Sequence, residues 1–239
     1  MCSPSTRGNS STPCSASEPS AMIEFDRVTK RYPGGHEALT EVSLKIAQGE
    51  LVFLTGHSGA GKSTLLKLIA AIERPTSGQI VVNGQNISRL KRAAMPYFRR
   101  NIGLIFQDHK LLYDRSVFDN VLLPLHIQGL TGHDAAKRVR AALDKVGLLK
   151  RERARPITLS GGEQQRLCIA RAIVSRPALV LADEPMANLD DAYATEIMDM
   201  FRAFNQVGVT LVISTHNLDL VRRYGGRTLT LDHGKLVAA

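Results

Sequence analysis

The sequence has few cysteines, and their positions exclude two classes of protein. The three cysteines among its 239 residues are Cys2, Cys14 and Cys168. Two lie close to the N-terminus and one lies in a helical pattern, so we predict neither a disulfide framework nor a zinc site. Unpaired cysteines are typical of a protein kept in a reducing cytosol.

Long apolar stretches are also lacking. No run approaches the roughly 18 uninterrupted apolar residues that a membrane-spanning helix needs. The first residues, MCSPSTRGNSSTPCSASEPSA, lack the apolar centre of a secretory signal and are rich in Ser and Pro. We predict a disordered tail over residues 1–21. An alternating strand pattern begins at Met22, so a translation start at Met22 is the alternative.

The overall composition is that of a globular protein with an anionic partner. Hydrophobic residues make up 44% and charged residues 22% of the chain, and this length suits one large domain or a domain with a subdomain. The formal net charge of +9 favours binding to a nucleotide, an anionic membrane surface or nucleic acid. Charge alone does not choose among them.

Strand patterns and helical patterns alternate along the chain. Strands are predicted in MIEFDRVTK, VSLKI, ELVFLTG and QIVVNGQNI, the last a hairpin turning at Asn-Gly. Residues 88–177 are helical and basic, which predicts an inserted helical subdomain. Strand patterns return in ALVLADE, TLVIST and the closing hairpin LTLDHGKLV. The alternation predicts an α/β fold with a mostly parallel sheet, in one domain over 22–239.

The segment GHSGAGKS matches the phosphate-loop pattern G-x-x-x-x-G-K-[ST] between a strand and a helix. Its candidate binding residues, with the residue that follows, are Gly56, His57, Ser58, Gly59, Ala60, Gly61, Lys62, Ser63 and Thr64. Glycines allow a backbone to wrap around phosphates, and a helix N-terminus favours anions. We expect Lys62 to reach the β- and γ-phosphates, Ser63 to ligate Mg²⁺ and Thr64 to bind phosphate. A plain glycine turn is the alternative, but it would not need the lysine.

Two carboxylates end the apolar strand pattern ALVLADEP. Asp183 at the end of a buried strand fits the Walker-B role of holding Mg²⁺. Glu184 beside it points to the opposite side or begins the turn, where it can act as general base on a water molecule. A solvated pair of carboxylates is the alternative, and the phosphate loop upstream argues against it.

The segment LSGGEQQR places a serine and two glycines before a helix. A hydroxyl, two glycine N–H groups and a helix N-terminus form an anion site. The same residues fit a capping box in which Ser160 caps the helix and Glu163 closes the box. The two interpretations are compatible.

Phosphate loop, Gln107, LSGGEQQR, LADEP, NLD and His216 follow one another in this order. Together they resemble the ATP-binding-cassette ATPases, and the resemblance covers nearly everything from Met22 onward. It implies a P-loop fold with an added antiparallel β subdomain, ATP hydrolysis with Mg²⁺, and a homodimer. In that family Ser160, Gly161 and Gly162 bind the γ-phosphate held by the other subunit.

The resemblance implies roles for further residues. Tyr32 would stack on adenine, although it also fits a half-buried strand tyrosine. Gln107 would contact Mg²⁺ or the attacking water and sense a transmembrane partner. Asp190 would lie at the dimer seam. His216 would hydrogen-bond the γ-phosphate, although a lone histidine at a strand end is usually structural.

Two positions depart from the family pattern. Met186-Ala187 stands where a Ser or Thr and a small residue are common, and Asn217 stands where Asp is usual. Asn217 can still hydrogen-bond but carries no charge. We expect these changes to affect coupling between subunits rather than ATP binding.

Segments around the motifs, above all HSGAGKS and FQDHKLLYDRSVFDNVLLPL, resemble the branch of the family that acts in bacterial cell division. This implies an integral membrane partner resembling FtsX, possible contacts with other division proteins, and signalling to cell-wall hydrolases from the cytoplasmic face of the inner membrane. The basic helical segment fits an anionic membrane face or a solvated surface.

The ATPase of a lipoprotein-releasing or macrolide-type exporter is the alternative to the cell-division role. No nucleic-acid partner is expected, because paired cassettes and a long coiled coil are both absent. The presence of both Glu184 and His216 argues against a binding module without ATPase activity.

Overall fold

The computed structural model describes residues 21–187 and 189–238. In chain order, the strands are β1 (Ala21–Arg31), β2 (Glu37–Ala47), β3 (Leu51–Thr55), β4 (Ser77–Val82), β5 (Gln85–Asn86), β6 (Ile102–Ile105), β7 (Leu179–Asp183), β8 (Thr210–Ser214), β9 (Arg227–Asp232) and β10 (Lys235–Ala238). The α-helices are α1 (Lys62–Ile69), α2 (Met95–Arg99), α3 (Val117–Ile127), α4 (Gly132–Lys145), α5 (Gly161–Ile173), α6 (Asp191–Gln206) and α7 (Leu218–Tyr224). Short 3-10 turns lie at Arg92–Ala94, Leu149–Arg151 and Pro156–Thr158.

A six-stranded sheet in the order β10-β9-β3-β8-β7-β6 forms the centre of the fold. Strands β9, β3, β8, β7 and β6 run parallel, and β10 joins the edge antiparallel to β9. The predicted α/β class, the mostly parallel sheet and the closing hairpin are therefore confirmed. Ligands of such sheets bind outside the carboxyl ends of the strands.

A second, antiparallel sheet has the order β2-β1-β4-β5. Strands β4 and β5 are joined at Asn83-Gly84, because Val82 pairs with Gln85. Both turn residues have positive φ, 47° for Asn83 and 72° for Gly84, as a tight hairpin of this kind requires. The predicted Asn-Gly hairpin and the antiparallel β subdomain are confirmed.

The central sheet separates two apolar cores, because successive side chains of a strand point to opposite faces. On β3, Phe53 packs into the core that includes the helical segment. Its neighbours Val52 and Leu54 pack into the core shared with the antiparallel sheet and α1. All three are fully buried. Burial on both faces explains why the central strands appear in the sequence as continuous apolar runs.

The segment 88–177, predicted to form an inserted helical subdomain, contains helices α2 to α5 and one strand of the central sheet. Strand β6 pairs parallel with β7, from Ile102 opposite Leu179 to Ile105 opposite Ala182. Helix α5 packs closely over β6 at Gly103, where an added Cβ would lie 2.7 Å from the Ala172 carbonyl oxygen. Four residues between helical patterns are too few to reveal a strand by periodicity.

The proposed tail boundary also shifts. Ala21, which we assigned to the tail, is the first residue of β1 and pairs with Ala47. Residues 1–20, where the rest of the predicted tail falls, lie outside the described residues. Among the residues described, none of the helices has the length and apolarity needed to span a membrane.

Candidate functional site

The phosphate loop connects the end of β3 to α1 and is held in shape by glycines. Gly56, Gly59 and Gly61 all have positive φ, at 138°, 80° and 108°, where side chains are disfavoured. A Cβ on Gly61 would also lie 2.5 Å from the Ala38 carbonyl oxygen. His57 and Ser58 are exposed in the loop, whereas Ala60 is buried against the protein.

Lys62, the first residue of α1, lies beneath this loop and is only 5% exposed. Its Nζ donates to the Gly56 carbonyl at 2.9 Å and to the His57 carbonyl at 3.1 Å. Burial lowers the pKa of the Lys62 amine, while the nearby carboxylates of Glu184 and Asp183 act in the opposite direction. The two carbonyl contacts hold the amine inside the phosphate loop.

Asp183 and Glu184 are linked through a serine on the neighbouring strand. The Ser214 hydroxyl, at the end of β8, donates to Asp183 Oδ1 at 2.7 Å and accepts from the Glu184 N–H at 2.8 Å. Ser214 is fully buried. Glu184 has φ 47°, so this carboxylate begins the turn after β7 in a conformation that is costly for a non-glycine residue.

His216 completes a group of three charged or polar side chains. Its Nε2 lies 2.6 Å from Glu184 Oε1 and 3.3 Å from Lys62 Nζ. The carboxylate can only accept and the ammonium can only donate, so the shorter contact indicates that Nε2–H donates to Glu184. Lys62 Nζ is 3.9 Å from the same Glu184 oxygen. A cavity of about 160 Å³ opens beside Glu184 and His216.

Ser63 and Asp183 line one narrow cleft of about 20 Å³. A serine hydroxyl and a carboxylate are oxygen ligands of the kind that Mg²⁺ prefers, so these residues fit a magnesium ion. Gln107 lies at the same edge of the sheet, because it follows Ile105, which pairs with Ala182 directly before Asp183. The Gln107 side chain is exposed.

Tyr32 directly follows β1 and faces the beginning of α1. Its hydroxyl is 3.5 Å from Thr64 Oγ1, and Lys30 Nζ lies 4.8 Å from the centre of its ring. The ring is half-buried. Tyr32 and Thr64 thus lie together on one side of the phosphate loop.

The turn that follows Gln107 is held by helix α5. Arg171 donates to the carbonyls of His109 at 2.6 Å and Lys110 at 2.7 Å. Cys168 donates to the same His109 carbonyl at 3.4 Å, and burial raises the pKa of its thiol to about 12. The thiol is therefore neutral at physiological pH and acts as a packed structural group.

The start of α5 has the predicted capping box. Glu163 N–H donates to Ser160 Oγ at 3.3 Å, and Ser160 N–H donates to Glu163 Oε2 at 2.8 Å. Ser160 and Gly161 are exposed, whereas Gly162 is buried. A Cβ on Gly162 would lie 3.3 Å from the Tyr193 ring, so this glycine lets α6 approach closely.

Three of the remaining positions have structural contacts. Asp190 caps α6 by accepting from the Tyr193 N–H at 3.0 Å. Asn217 caps α7, accepting from the N–H groups of Asp219 at 3.1 Å and Leu220 at 3.0 Å. An Asp would cap equally well, so this departure changes charge more than local structure. Met186, the other departure, is 8% exposed within the apolar core.

The predicted residues form two separate groups. The phosphate loop, Asp183, Glu184 and His216 meet at the carboxyl ends of β3, β7 and β8. Over residues 21–187 and 189–238, no hydrogen bond or ion pair joins Ser160–Gly162 to the phosphate loop. Sequence reasoning missed Ser214. The signal for it was a hydroxyl residue directly before Thr215-His216, at the end of a buried strand pattern.

Comparisons with known proteins show the family to which this chain belongs. Residues 39–187 match the family model described as ABC transporter. The chain belongs to the ABC transporter family. It is 56% identical to the cell division ATP-binding protein FtsE of Escherichia coli (strain K12), over 90% of this chain and 97% of that protein. It is 44% identical to FtsE of Bacillus subtilis (strain 168), over 90% and 95% of the two chains. The resemblance to the ATP-binding-cassette ATPases and to their cell-division branch is confirmed.

A solved structure gives the same result for the fold. The dimeric structure of an ATP-binding cassette in a post-hydrolysis state, bound to ADP and Pi, superposes with a TM-score of 0.85 at 34% identity. The superposition covers 90% of this chain and 97% of the solved chain. The chain therefore has the ATP-binding-cassette fold, a nucleotide-binding ATPase architecture.

Proposed function

We propose that this chain is the ATP-binding and ATP-hydrolysing subunit of a membrane ABC complex that acts in bacterial cell division. The observation that carries this proposal is the convergence of Lys62, Glu184 and His216 at one edge of the sheet. The similarity to two proteins named cell division ATP-binding protein FtsE supports the cellular role.

In the proposed mechanism, the loop N–H groups and Lys62 bind the β- and γ-phosphates, while Tyr32 stacks on the adenine ring. Glu184 accepts the proton of the water that attacks the γ-phosphorus, the bond from that phosphorus to the β–γ bridging oxygen breaks, and ADP and phosphate are released. Before nucleotide binds, His216 orients Glu184 through the 2.6 Å contact of its Nε2. Once the γ-phosphate is present, the Nε2–H would donate to that phosphate instead. Ser63 and Asp183 would hold Mg²⁺ with Gln107 nearby, and that ion would neutralise phosphate charge.

The complete site is proposed to need a second copy of the chain. Ser160, Gly161 and Gly162 of one copy would bind the γ-phosphate held by Lys62 of the other, and Asp190 would lie at the seam. The exposure of Ser160 and Gly161 supports this, as does the dimeric state of the solved relative. Shifting the ratio of closed to open dimer from 1:99 to 99:1 takes about 5.5 kcal/mol of differential binding between the two states.

The homodimer is proposed to sit at the cytoplasmic face of the bacterial inner membrane, bound to an integral membrane partner resembling FtsX. Closing and opening of the dimer would signal through that partner to cell-wall hydrolases. The net charge of +9 supports a position beside an anionic membrane.

The test uses the Glu184→Gln variant, which keeps the size and hydrogen bonding of the side chain but cannot accept the proton. We expect ATPase activity to fall by about 10²–10⁴-fold while ATP still binds. Isolated from membranes with ATP, the variant should retain a membrane partner of the FtsX type. Mass spectrometry of the co-purified proteins checks this.

Glu196→Gln is the matched control, because Glu196 is a glutamate on α6 that pairs with Arg166 at 3.0 Å rather than with Lys62 or His216. It should keep normal turnover. Near-normal ATPase activity of Glu184→Gln would overturn the general-base assignment. Recovery of a lipoprotein-releasing or macrolide-type membrane subunit would overturn the division role.

A further inference from the structure

Two histidines and an aspartate meet where the phosphate loop approaches the β9–β10 turn. His57 Nε2 lies 3.2 Å from Asp232 Oδ1, and His233 Nε2 lies 3.9 Å from the same oxygen. The two imidazole rings are 4.6 Å apart between centroids. One ligand atom from each residue lies within 4.8 Å of the others, an arrangement found only here in the described part of the chain.

The backbone holds these residues at a fixed separation. Gly234 N–H, in the turn, donates to the Ala60 carbonyl of the phosphate loop at 3.1 Å. A Cβ on Gly56 would collide with the Leu231 carbonyl oxygen, so the loop and the end of β9 touch. The cluster is therefore built by two anchored segments rather than by mobile side chains alone.

The tautomer of His57 gives this cluster a specific chemistry. His57 Nδ1 lies 2.6 Å from the Ser58 carbonyl oxygen, and a carbonyl can only accept, so Nδ1 carries a hydrogen. In the neutral ring, Nε2 then has a lone pair that faces the Asp232 carboxylate. Two lone pairs at that distance repel each other unless a positive species lies between them, either a proton or a metal ion.

We propose that His57, Asp232 and His233 form a binding site for a divalent transition-metal ion such as Zn²⁺ or Co²⁺. Imidazole nitrogens suit these ions, whereas Mg²⁺ prefers oxygen ligands, so the site is distinct from the nucleotide's metal. A donor on one ring nitrogen with a metal on the other is the usual arrangement of a metal-bound histidine. Water would fill the remaining coordination position.

The geometry allows the ion to enter and be bound. The side chains are 45%, 53% and 84% exposed for His57, Asp232 and His233, so small rotations can bring three ligand atoms to about 2.0–2.2 Å from one ion. Because His57 belongs to the phosphate loop, a bound ion would tie that loop to the β9–β10 turn.

The test is a Co²⁺ titration of the untagged full-length chain, followed by visible absorption. We expect one equivalent to bind, Zn²⁺ to displace it, and a large excess of Mg²⁺ to leave it in place. His233→Asn and Asp232→Asn should each weaken Co²⁺ binding by about tenfold or more. Circular dichroism confirms that each variant is folded.

His133→Asn is the matched control, because His133 is an exposed histidine at the start of α4, outside the cluster. It should bind Co²⁺ as the parent does. The proposal is overturned if no one-equivalent binding saturates below about 10 µM, the weak end of the Ca²⁺ affinities of EF-hand sensors. It is also overturned if His233→Asn and His133→Asn bind equally well, which would leave a proton between His57 and Asp232.

Discussion

Helices α1 and α5 both begin with backbone N–H groups that have no acceptor within the helix, but they differ in what satisfies those groups. Helix α1 begins after Gly61 and has no side-chain cap. Helix α5 begins after Ser160, whose hydroxyl accepts from the Glu163 N–H in a capping box. The start of α1, with its free N–H groups, suits an anionic ligand that is bound by the same chain. The start of α5 is stable alone and can remain in solvent until a partner arrives.

The largest effect expected from this comparison concerns Lys62. Lys62→Ala should weaken ATP binding by about 100-fold, because a charge-assisted phosphate contact contributes roughly 1.5–3 kcal/mol. Equilibrium titration with a fluorescent ATP analogue measures the change. The variant should remain folded, since burying the Lys62 amine costs free energy in the folded state.

The contribution of Lys62 to the free energy of unfolding depends on pH with a definite sign. A lysine whose folded pKa is lowered destabilises the fold below that pKa, and this cost disappears as pH rises above the unfolded value.

The control for Lys62→Ala is Lys67→Ala, an exposed lysine on the same helix, which should bind ATP normally. Equal loss in both variants would contradict the assignment of Lys62.

A smaller effect is expected at Ser214, which links the two carboxylates. Ser214→Ala removes the donor to Asp183 Oδ1 and the acceptor for the Glu184 N–H. The free energy of unfolding should fall by about 1–3 kcal/mol, because buried polar groups lose their partners. ATPase activity should fall by about tenfold with little change in ATP affinity. Denaturant unfolding and steady-state kinetics measure these quantities.

Ser43→Ala is the control for this variant, because the Ser43 hydroxyl also accepts from a backbone N–H, at 2.9 Å from Arg27 N, but at an exposed position of β2. Its activity should not change. If Ser214→Ala lowers stability and leaves turnover intact, Ser214 does not position Glu184 for the proposed proton transfer.

Local patterns predicted much of the fold and pointed to the residues of the candidate site that lie within short motifs. The phosphate loop and the strand ending in Asp183-Glu184 could be predicted from the sequence, because each motif lies within a few consecutive residues. Strand β6 was not, since its four residues owe their conformation to pairing with β7. The capping box was predicted from Ser160 and Glu163 at a spacing of three.

Long-range proximity could not be predicted. Ser214 meets Asp183 from a neighbouring strand, and His57 meets Asp232 across most of the chain. These contacts depend on strand order, which one sequence does not encode in any local pattern. Gly162 is predicted to bind phosphate from its motif, and its packing against Tyr193 is visible only in the fold.

The central claim, that the α5 start of one chain binds the nucleotide of another, is tested most directly by Ser160→Asp in the Glu184→Gln background. Aspartate caps a helix as well as serine does, so α5 should stay folded, but its charge would repel a γ-phosphate. Sedimentation with ATP measures the dimer, and a fluorescent ATP analogue measures binding to the monomer. We predict that Glu184→Gln alone dimerises, while the double variant binds ATP equally well and stays monomeric. A double variant that dimerises as well as Glu184→Gln would contradict the account.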